Sequence, residues 1–423
     1  MKEIKINSVN EVIYTFNAPT NLPVYMWVNK DKNNVHLSLV VKYGSSGTEF
    51  TCNNVKYSVP TGTAHFLEHI KFHLKDDDAT NLLYDLGCDS NAYTSLNETS
   101  FEVFASDNVY EATKILLNFV YDNYFSKKIV DNERGIILEE CNSHKDDPDY
   151  ELYIETMKNY LVKSTCRNPV IGYEKDVKKI SVDDVSLVHD YFYRPTNMFM
   201  VITGSFDPEE MKKVINENEK DRTFKDIGNV KIDRAKEPKG FLNDNIVLYN
   251  KNCANTQGSF VIKTLKSSFK GYTKDEVLVA LRAIVNANFD LASDFYETII
   301  QEGFATRFSS YVSYDDGAFG ISFNYFSETP EKVIELINDK LNNMTITKED
   351  IDRIIKSYLT NSIMRFDNIY NVSAFIIASI IDDDCVNENK LDILKKLSVK
   401  KVKNIYNKVD LKNIMNILMK QKK

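Results

Sequence analysis

Three of the six histidines in this 423-residue chain fall within residues 65–73, and Glu68 stands between the first two. In a helix, His65 and His69 are i and i+4 neighbours on one face, so both imidazoles can bind a single ion. Glu68 lies beside them, close to the ion that they would hold. Two imidazole nitrogens with an adjacent carboxylate are typical of a zinc site that carries its own base.

Local signals favour a helix across this motif. N-cap candidates are present at residues 61–63, directly after Pro60, and good helix formers follow them. A histidine pair at this spacing is by itself more often an accident of a helix surface or core than a metal site. The intervening glutamate favours the metal site, because the order His-x-x-Glu-His is the inverzincin signature.

A catalytic zinc usually takes three protein ligands, which leaves its fourth position to water. The pattern of residues 127–144 predicts a helix, and its best acidic candidates are Glu139 and Glu140. Glu140 follows the apolar residues 136–137 by one turn and Glu133 by two turns, which predicts an inward position. We therefore choose Glu140 as the third ligand. Glu133 either orients a ligand or the bound water, or is a solvated carboxylate near the start of the helix.

Five segments of the chain resemble the pitrilysin/insulinase metallopeptidases and occur in the order that this family uses. They are residues 63–69, Gly87, residues 91–94, residues 133–140 and residues 193–198. The family motif is His-x-x-Glu-His with a glutamate ligand later in the chain. The similarity covers nearly the whole chain and is closest to short bacterial two-domain members, including peptidases of peptide-maturation clusters. The chain is also similar to mitochondrial-processing-peptidase-like proteins.

Carried over residue by residue, the resemblance implies that His65, His69 and Glu140 bind one Zn2+ per chain. It also implies that Glu68 is the general base and that Glu133 is an assisting carboxylate. The implied function is that of a zinc endopeptidase. Metal-activated water attacks a peptide carbonyl, and Glu68 takes the proton and returns it to the leaving amine. Short unstructured peptides or leader segments are the implied substrates.

The same resemblance implies where a peptide substrate binds. The family binds substrate as an added strand at a sheet edge, which here is the segment with Asn91, Ala92 and Tyr93. Its second domain lends an arginine and a tyrosine, and the nearest candidates in this chain are Arg307 and Tyr311. Their spacing departs from the family pattern, so a solvated arginine beside a packed tyrosine is an equally good interpretation.

The two halves of the chain look like one fold used twice. Residues 86–104 resemble residues 302–323 in a strand-like alternation that starts at a glycine, and the helical residues 127–142 resemble residues 348–364. In the second copy, the counterpart of the motif helix at residues 277–284 has no metal ligand. We predict a zinc-binding catalytic domain, a polar linker that can act as a hinge, and a C-terminal domain of the same fold, at residues 1–220, 221–240 and 241–423.

Strands alternate with amphipathic helices in each half, as in the strand-like residues 35–41 and 259–262. The pattern of residues 91–104 predicts two strands joined as a hairpin, which argues against a purely parallel sheet. The predicted fold class is α+β, with two homologous domains that each pack a mixed, largely antiparallel sheet against helices.

The remaining histidines lack the spacing of ligands. His73 follows His69 by four residues, but the helical period carries it off the metal face. We expect His73 to line the cleft or to lie exposed near the charged residues 75–78. The histidines expected to be structural are His36, His144 and His189.

Composition limits the partners and the location. The net charge of −8, without a dense basic patch, predicts no nucleic-acid partner and suits a neutral or cationic peptide. The six cysteines have no paired spacing and the N-terminal residues lack a signal-peptide core, so we predict a cytoplasmic protein with reduced thiols. No apolar run approaches the roughly 18 residues that cross a bilayer, so we predict no membrane partner and a core helix at residues 375–381.

Two other functions remain open. Larger family members carry twice as many such domains, so this chain can act as a homodimer or as a heterodimer with a related chain. A non-catalytic or partner-dependent peptide-binding subunit of a heterodimeric protease is therefore the main alternative, and a hydrolase of other substrates is the third. The intact motif favours the active peptidase, because inactive members usually lose a histidine or the glutamate.

Overall fold

The computed structural model of the protein describes residues 1–422, which contain fifteen strands. The strands are β1 (Lys2–Ile6), β2 (Glu11–Asn17), β3 (Pro23–Val28), β4 (Val35–Val41), β5 (Glu49–Cys52), β6 (Val55–Ser58), β7 (Asp89–Thr94), β8 (Thr99–Ala105), β9 (Met198–Gly204), β10 (Val230–Ile232), β11 (Asn245–Asn250), β12 (Gln257–Leu265), β13 (Arg307–Asp315), β14 (Ala318–Phe326) and β15 (Ile414–Gln421).

Fifteen α-helices and three short 3-10 helices complete the described chain. The α-helices are α1 (Thr63–Ile70), α2 (Ala79–Asp85), α3 (Val109–Tyr121), α4 (Lys127–Lys145), α5 (Pro148–Tyr160), α6 (Glu174–Val177), α7 (Val182–Phe192), α8 (Pro208–Glu219), α9 (Lys274–Phe289), α10 (Asp294–Gln301), α11 (Pro330–Asn342), α12 (Lys348–Arg365), α13 (Ile369–Asp383), α14 (Asn389–Lys395) and α15 (Val399–Tyr406). The 3-10 helices are Thr165–Arg167, Pro195–Asn197 and Lys266–Phe269.

The strands form three sheets. The largest has the order β1-β2-β3-β9-β4-β8-β7, in which β3 and β9 run parallel and the other neighbours antiparallel. An antiparallel sheet of three strands has the order β10-β5-β6. The third sheet has the order β11-β15-β12-β14-β13, with β11 and β15 parallel. These mixed, largely antiparallel sheets with packed helices confirm the predicted α+β class.

The chain divides into two compact units that are interleaved along the sequence. Unit 1 comprises residues 1–141, 169–233 and 360–387, and unit 2 comprises residues 142–168, 234–359 and those from 388 to the end of the described chain. Sequence order alone would therefore assign two segments to the wrong unit. Residues 142–168, from the N-terminal half, belong to unit 2, and residues 360–387, from the C-terminal half, belong to unit 1. The domain boundaries proposed from the sequence stay a prediction.

Each unit contains the same five-stranded arrangement, which confirms that one fold is used twice. Unit 1 has the order β3-β9-β4-β8-β7 and unit 2 has the order β11-β15-β12-β14-β13, with one parallel pair at the same end. The edge hairpin of β7 and β8 therefore corresponds to that of β13 and β14. The counterpart of α1 is α9, whose residues 277–284 carry no metal ligand.

Each half of the chain contributes one helix that packs on a sheet formed by strands of the other half. In unit 1, α13 contacts β4 and β9 and buries Ile376 and Ile380 against Trp27 and Phe199. In unit 2, α5 contacts β12 and β15, the counterparts of those strands. A fully buried isoleucine stabilises a fold by about 1.5–3 kcal/mol relative to an exposed one, so α13 is integral to unit 1. The core helix predicted at residues 375–381 is confirmed.

The predicted linker, residues 221–240, is held by the fold in its middle and near its C-terminal end. Its strand β10 pairs with β5 in unit 1. In unit 2, Glu237 accepts hydrogen bonds from the backbone N–H groups of residues 162–164 at 2.5 to 2.9 Å and from Lys263 Nζ at 2.9 Å. Both charged side chains are fully buried. Breaking such a pair would leave an uncompensated buried charge, so the chain is anchored at residue 237.

Candidate active site

The motif helix α1 begins after a glycine that no other residue can replace without strain. Gly62 occupies the N-cap with φ of 87°, and a Cβ built on it would lie 2.4 Å from the carbonyl oxygen of Ile171. The left-handed backbone and the close approach both require glycine. Of the predicted N-cap candidates, Gly62 therefore holds the position.

Helix α1 buries its apolar residues and presents both histidines on a partly open face. Phe66, Leu67 and Ile70 are fully buried, whereas His65 and His69 keep part of their surface. The two imidazole ring centroids lie 4.6 Å apart. The i, i+4 geometry predicted from the sequence is therefore present.

Glu140 on α4 faces both histidines. Its Oε1 is 3.7 Å from His65 Nε2, and its Oε2 is 3.7 Å from His69 Nε2. Glu139, the alternative in the sequence, is exposed. The structure thus brings together the three residues that the sequence selected, and their role as ligands stays a prediction.

The inward face of α4 differs in one respect from the predicted stripe. Glu133 and Ile137 are buried on the face that leads to Glu140, but Ile136 is 57% exposed. Residues at i, i+4 and i+7 follow one helix face closely, whereas position i+3 falls at its edge. The expectation that Ile136 lies on the apolar stripe was wrong, although the choice of Glu140 does not depend on it.

These three side chains fit one zinc ion. A ligand atom from each of His65, His69 and Glu140 lies within 4.8 Å of the others, the one such group of His, Cys, Asp or Glu found in residues 1–422. Two ligands of a tetrahedral zinc, each 2.0–2.2 Å from it, are about 3.4 Å apart, close to the contacts measured here. Imidazole nitrogen and carboxylate oxygen are also ligands that zinc prefers.

Glu133 positions His69. His69 Nδ1 lies 2.9 Å from Glu133 Oε1, and an ionised carboxylate can only accept, so Nδ1 donates and Nε2 is directed toward the metal position. Burial lowers the pKa of His69, but the hydrogen bond to Glu133 and the nearby carboxylates raise it above its usual value overall. The same hydrogen bond lowers the pKa of Glu133. Glu133 is buried, so its interpretation as a solvated carboxylate was wrong.

Glu68 is held by a residue of the neighbouring sheet edge. Thr94 Oγ1, at the end of β7, donates to Glu68 Oε2 at 2.6 Å. Burial raises the pKa of Glu68, and the hydrogen bond from Thr94 and the charge of His69 oppose this shift only in part. A carboxylate with a raised pKa is suited to accept a proton near neutral pH. The sequence offered no signal for the contact with Thr94, because it depends on how β7 packs against α1.

His73 lies beyond the end of α1 and is therefore not a helical neighbour of His69. Its Nδ1 is 3.1 Å from Asp78 Oδ2, and its Nε2 is 3.4 Å from Glu133 Oε2. Asp78 is itself fixed, because its Oδ1 accepts from the backbone N–H of Thr80 at the start of α2. The predicted position near the charged run is confirmed, and His73 also connects Asp78 to the carboxylate that holds His69.

Replacing His73 with alanine should weaken zinc binding about tenfold. Loss of a group that orients a metal ligand typically costs about 10–100-fold in affinity, and His73 acts one contact further away, through Glu133. Competition with a chromophoric chelator would measure the change. The control is Lys75→Ala, an exposed residue of the same loop. Unchanged zinc affinity in His73→Ala would show that Glu133 does not need this contact.

Lys71 is buried immediately after the motif helix. Its Nζ donates to the backbone carbonyl oxygen of Asp122 and lies 5.4 Å from the ring centroid of Phe125 and 6.0 Å from that of Tyr193. These contacts do not replace the lost hydration of an ammonium group. Burial therefore lowers the pKa of Lys71 to about 7.

The stability of the metal-free protein should rise with pH because of Lys71. Its pKa is about 7 in the folded protein and about 10.4 in the unfolded chain. Between these values the unfolded chain binds a proton that the folded chain lacks, so folding gains up to about 1.4 kcal/mol per pH unit. In Lys71→Met this gain is absent. From pH 7.5 to pH 9.0, the free energy of unfolding measured with urea should increase by about 2 kcal/mol more in the wild type than in Lys71→Met. A parallel pH dependence would contradict a neutral Lys71.

The predicted substrate strand lies at a sheet edge. Through Asn91, Ala92 and Tyr93, β7 pairs with β8 on one side only, and it is the last strand of the seven-stranded sheet among the described residues. An edge strand offers backbone N–H and C=O groups to an added strand. Substrate binding here stays a prediction.

Arg307 and Tyr311 lie on β13, which is the corresponding edge strand of unit 2, and both line a cavity of about 180 Å3. The Arg307 side chain is 70% exposed, lies 3.8 Å from Asp149 and covers the ring of Phe326. The structure thus places both predicted residues at one cavity. The exposure of Arg307 also fits the alternative of a solvated arginine, so this assignment stays a prediction.

Two family descriptions match the chain. Residues 26–170 match "Insulinase (Peptidase family M16)", and residues 179–358 match "Peptidase M16 inactive domain". The chain belongs to peptidase family M16. All the motif residues from His65 to Glu140 lie in the first M16 range, and α9, the counterpart without ligands, lies in the second.

Relatives and solved structures agree with this M16 assignment. The chain is 26% identical over 419 residues to "Uncharacterized zinc protease YmfH" of Bacillus subtilis, which covers 96% of this chain and 95% of that protein. It is 20% identical over 328 residues to "Mitochondrial-processing peptidase subunit beta" of Dictyostelium discoideum, and this alignment covers 74% of this chain and 69% of that protein. A crystal structure of an M16-like peptidase from Alicyclobacillus acidocaldarius shares the fold with a TM-score of 0.89 and 21% identity. The superposition covers 97% of this chain and 98% of that chain.

The names of the relatives support a metallopeptidase-family function and imply zinc. Within residues 1–422, none of the helices combines the length and the apolar character needed to cross a bilayer.

Proposed function

We propose that this M16 protein is a zinc-dependent endopeptidase that hydrolyses peptide bonds of short unstructured peptides or leader segments. The observation that carries the proposal is the convergence of His65, His69 and Glu140 at distances that fit one zinc ion, with Glu68 buried beside them. Three protein ligands would leave one position for water. Relatives named as zinc proteases support the same class of reaction.

Three side chains around the ligands have separate tasks in the proposed mechanism. Zinc held by these ligands would supply Lewis acidity that acidifies a water molecule and polarises the substrate carbonyl. Glu68 takes the proton of the attacking water and returns it to the leaving amine, while Thr94 keeps Glu68 in position. Glu133 holds the Nδ1 proton of His69, so that Nε2 stays available as a ligand atom.

We propose that the substrate adds as a strand beside Asn91, Ala92 and Tyr93. The edge position of β7 supports this, because a peptide in an extended conformation can pair with its outer side. A folded protein would first have to release such a segment. Arg307 and Tyr311 are the proposed substrate contacts of unit 2. The net charge of −8 suits a neutral or cationic peptide.

A cytoplasmic location and an assembly of two chains are further parts of the proposal. The six cysteines of the described chain form no disulfide bonds, which is typical of a reducing compartment. The assembly is a homodimer or a heterodimer with a related chain. Similarity to a protein named as a beta subunit supports the heterodimer.

The second candidate function is a non-catalytic or partner-dependent peptide-binding subunit. Two observations favour it, namely the similarity to a named subunit and the "inactive domain" description over residues 179–358. The complete set of metal and base residues favours the active enzyme.

Incubation of the purified protein with a library of unstructured peptides would test the proposal, with zinc content determined on the same sample. Cleavage with about one zinc per chain is the expected result. Bound zinc without cleavage would favour the partner-dependent subunit. Absence of zinc in protein purified and dialysed with zinc would overturn the ligand assignment.

A further inference from the structure

We infer that residues 171–176, which we call the latch, hold the first turn of α1 and make Thr61 and Asp176 positioning residues for His65. The latch and α1 both belong to unit 1, although more than 100 residues separate them in the chain. The role of His65 as a zinc ligand comes from the proposed function, and the inference rests on that function in this respect only.

The start of α1 receives little support from its own residues. Gly62 at the N-cap has no side chain, and no side-chain hydrogen bond caps the helix. The first N–H groups of a helix also lack partners within it. Helix α1 has only eight residues, and His65 lies in its first turn, where a helix frays most easily. A well-fixed His65 therefore needs support from outside α1.

The latch touches the chain before α1 backbone to backbone. A Cβ built on Gly172 would lie 2.5 Å from the carbonyl oxygen of Thr61 and 2.6 Å from the Cα of Gly62. Gly172 has a φ of 86°, so its left-handed backbone also favours glycine. Two glycines thus face each other where the segments cross. The start of α1 cannot shift toward the latch without a clash.

Thr61 prevents movement in the opposite direction. Its Oγ1 accepts a hydrogen bond from the backbone N–H of Tyr173 at 3.0 Å and donates one to Asp176 Oδ2 at 2.9 Å. A hydrogen bond to a carboxylate is stronger than one between neutral groups. Thr61 lies two residues before Thr63, the first residue of α1. These bonds therefore act directly on the first turn.

The latch is itself fixed by the core of unit 1. Ile171 at its start is buried, and Val177 directly after it is fully buried. Both belong to the hydrophobic cluster that contains Phe66 and Leu67 of α1. Thr61 is thus bound to a part of the chain that cannot move independently of the core. As Glu133 positions His69, the latch positions His65.

Zinc affinity of the full-length protein, measured by competition with a chromophoric chelator, tests the latch. Thr61→Val should lower the affinity about tenfold, because loss of a group that orients a metal ligand typically costs about 10–100-fold. Thr61→Ser keeps the hydroxyl and should bind zinc within about twofold of the wild type.

Thr51→Val is the matched control. Thr51 Oγ1 of β5 donates to Asp233 Oδ2 at 2.8 Å, so this variant loses the same kind of bond outside the latch and α1. It should bind zinc within about twofold of the wild type. Equal losses of affinity in Thr51→Val and Thr61→Val, or an affinity of Thr61→Val within twofold of the wild type, would overturn the inference.

Asp176→Ala provides a second route if Thr61→Val does not fold, since it leaves the bond from Tyr173 in place. It should also lower the zinc affinity. The double variant should lose no more affinity than Thr61→Val alone, because the two side chains act through one hydrogen bond. Losses that multiply in the double variant would overturn the inference.

Amide hydrogen exchange of the metal-free protein, followed by mass spectrometry, gives a readout that needs no zinc. The backbone N–H of Phe66 donates to the carbonyl oxygen of Gly62 at 2.9 Å, so it reports on the first turn. Residues 61–67 should exchange about tenfold faster in Thr61→Val, whereas residues 133–140 of α4 should be unchanged. If the wild type binds no zinc, the proposed function fails. Faster exchange would then still support the latch, and an unchanged rate would overturn it.

Discussion

Glu68→Gln should lower the rate of peptide cleavage by about 10³-fold while the zinc content stays at about one per chain. The amide keeps the size of the carboxylate and can still accept the hydrogen bond from Thr94, so α1 and its histidines should be undisturbed. It cannot take a proton from the attacking water, and general acid–base catalysis of this kind is worth about 10²–10⁴-fold. Steady-state cleavage of a fluorogenic peptide, with metal analysis of the same sample, measures both quantities.

The matched control is Glu139→Gln, the same substitution at an exposed position of α4. This variant should cleave within about twofold of the wild type, because exposed substitutions away from a site have small effects. Cleavage by Glu68→Gln within tenfold of the wild type would exclude Glu68 as the base. Loss of zinc from that variant would instead assign Glu68 to the metal site.

Glu140→Ala should lower zinc affinity by more than about 100-fold and reduce cleavage to background. Removing a group that only supports a ligand costs about 10–100-fold, so removing a ligand itself should cost more. Its two carboxylate oxygens each lie 3.7 Å from a histidine Nε2, whereas the neighbouring Glu139 is exposed. Zinc retained after dialysis against a weak chelator is the measurement.

Glu139→Ala tests the choice between adjacent glutamates. It should retain zinc, because Glu139 is exposed while Glu140 faces His65 and His69. The reverse result, with zinc lost from Glu139→Ala and kept by Glu140→Ala, would mean that α4 presents its other face to the metal. Zinc retained by both variants would exclude a third ligand from this helix.

Local patterns predicted the elements of the site closely. The helix predicted over residues 127–144 is Lys127–Lys145, and the strand predicted over residues 35–41 is Val35–Val41. Helical hydrogen bonds act over a few residues, and a short, mostly apolar run predicts a buried strand such as Val35–Val41, so the sequence carries both directly. The spacing of His65, Glu68 and His69 belongs to the same class of information.

Predictions that depended on exact helix ends and edges were less accurate. The position of His73 relative to His69 could not follow from the period, because α1 ends at Ile70. Ile136 fell outside the buried face of α4, where a single residue step decides between core and solvent. Where α1 ends and which side of α4 is buried both depend on the residues that pack against these helices. The periodicity of the sequence carries no information about those residues.

Long-range contacts supplied the rest of the site. Thr94 reaches Glu68 only because β7 packs against α1, and Asp78 reaches His73 only because the loop before α2 folds back. Thr61 reaches Asp176, 115 residues later, only because the latch crosses the start of α1. None of these pairs has a spacing that a local pattern would reveal.

By itself, the sequence determined that α1 carries two histidines and a glutamate and that one fold is used twice, and it predicted Glu140 as the third ligand. The tertiary structure decided which groups hold these residues in place, and it decided that α5 and α13 each pack on a sheet of the other half. The physical reason is that side-chain spacing along a helix or strand follows from backbone geometry. The choice of packing partner instead depends on surfaces far apart in the chain, and α5 and α13 find on those sheets the buried area that stabilises them.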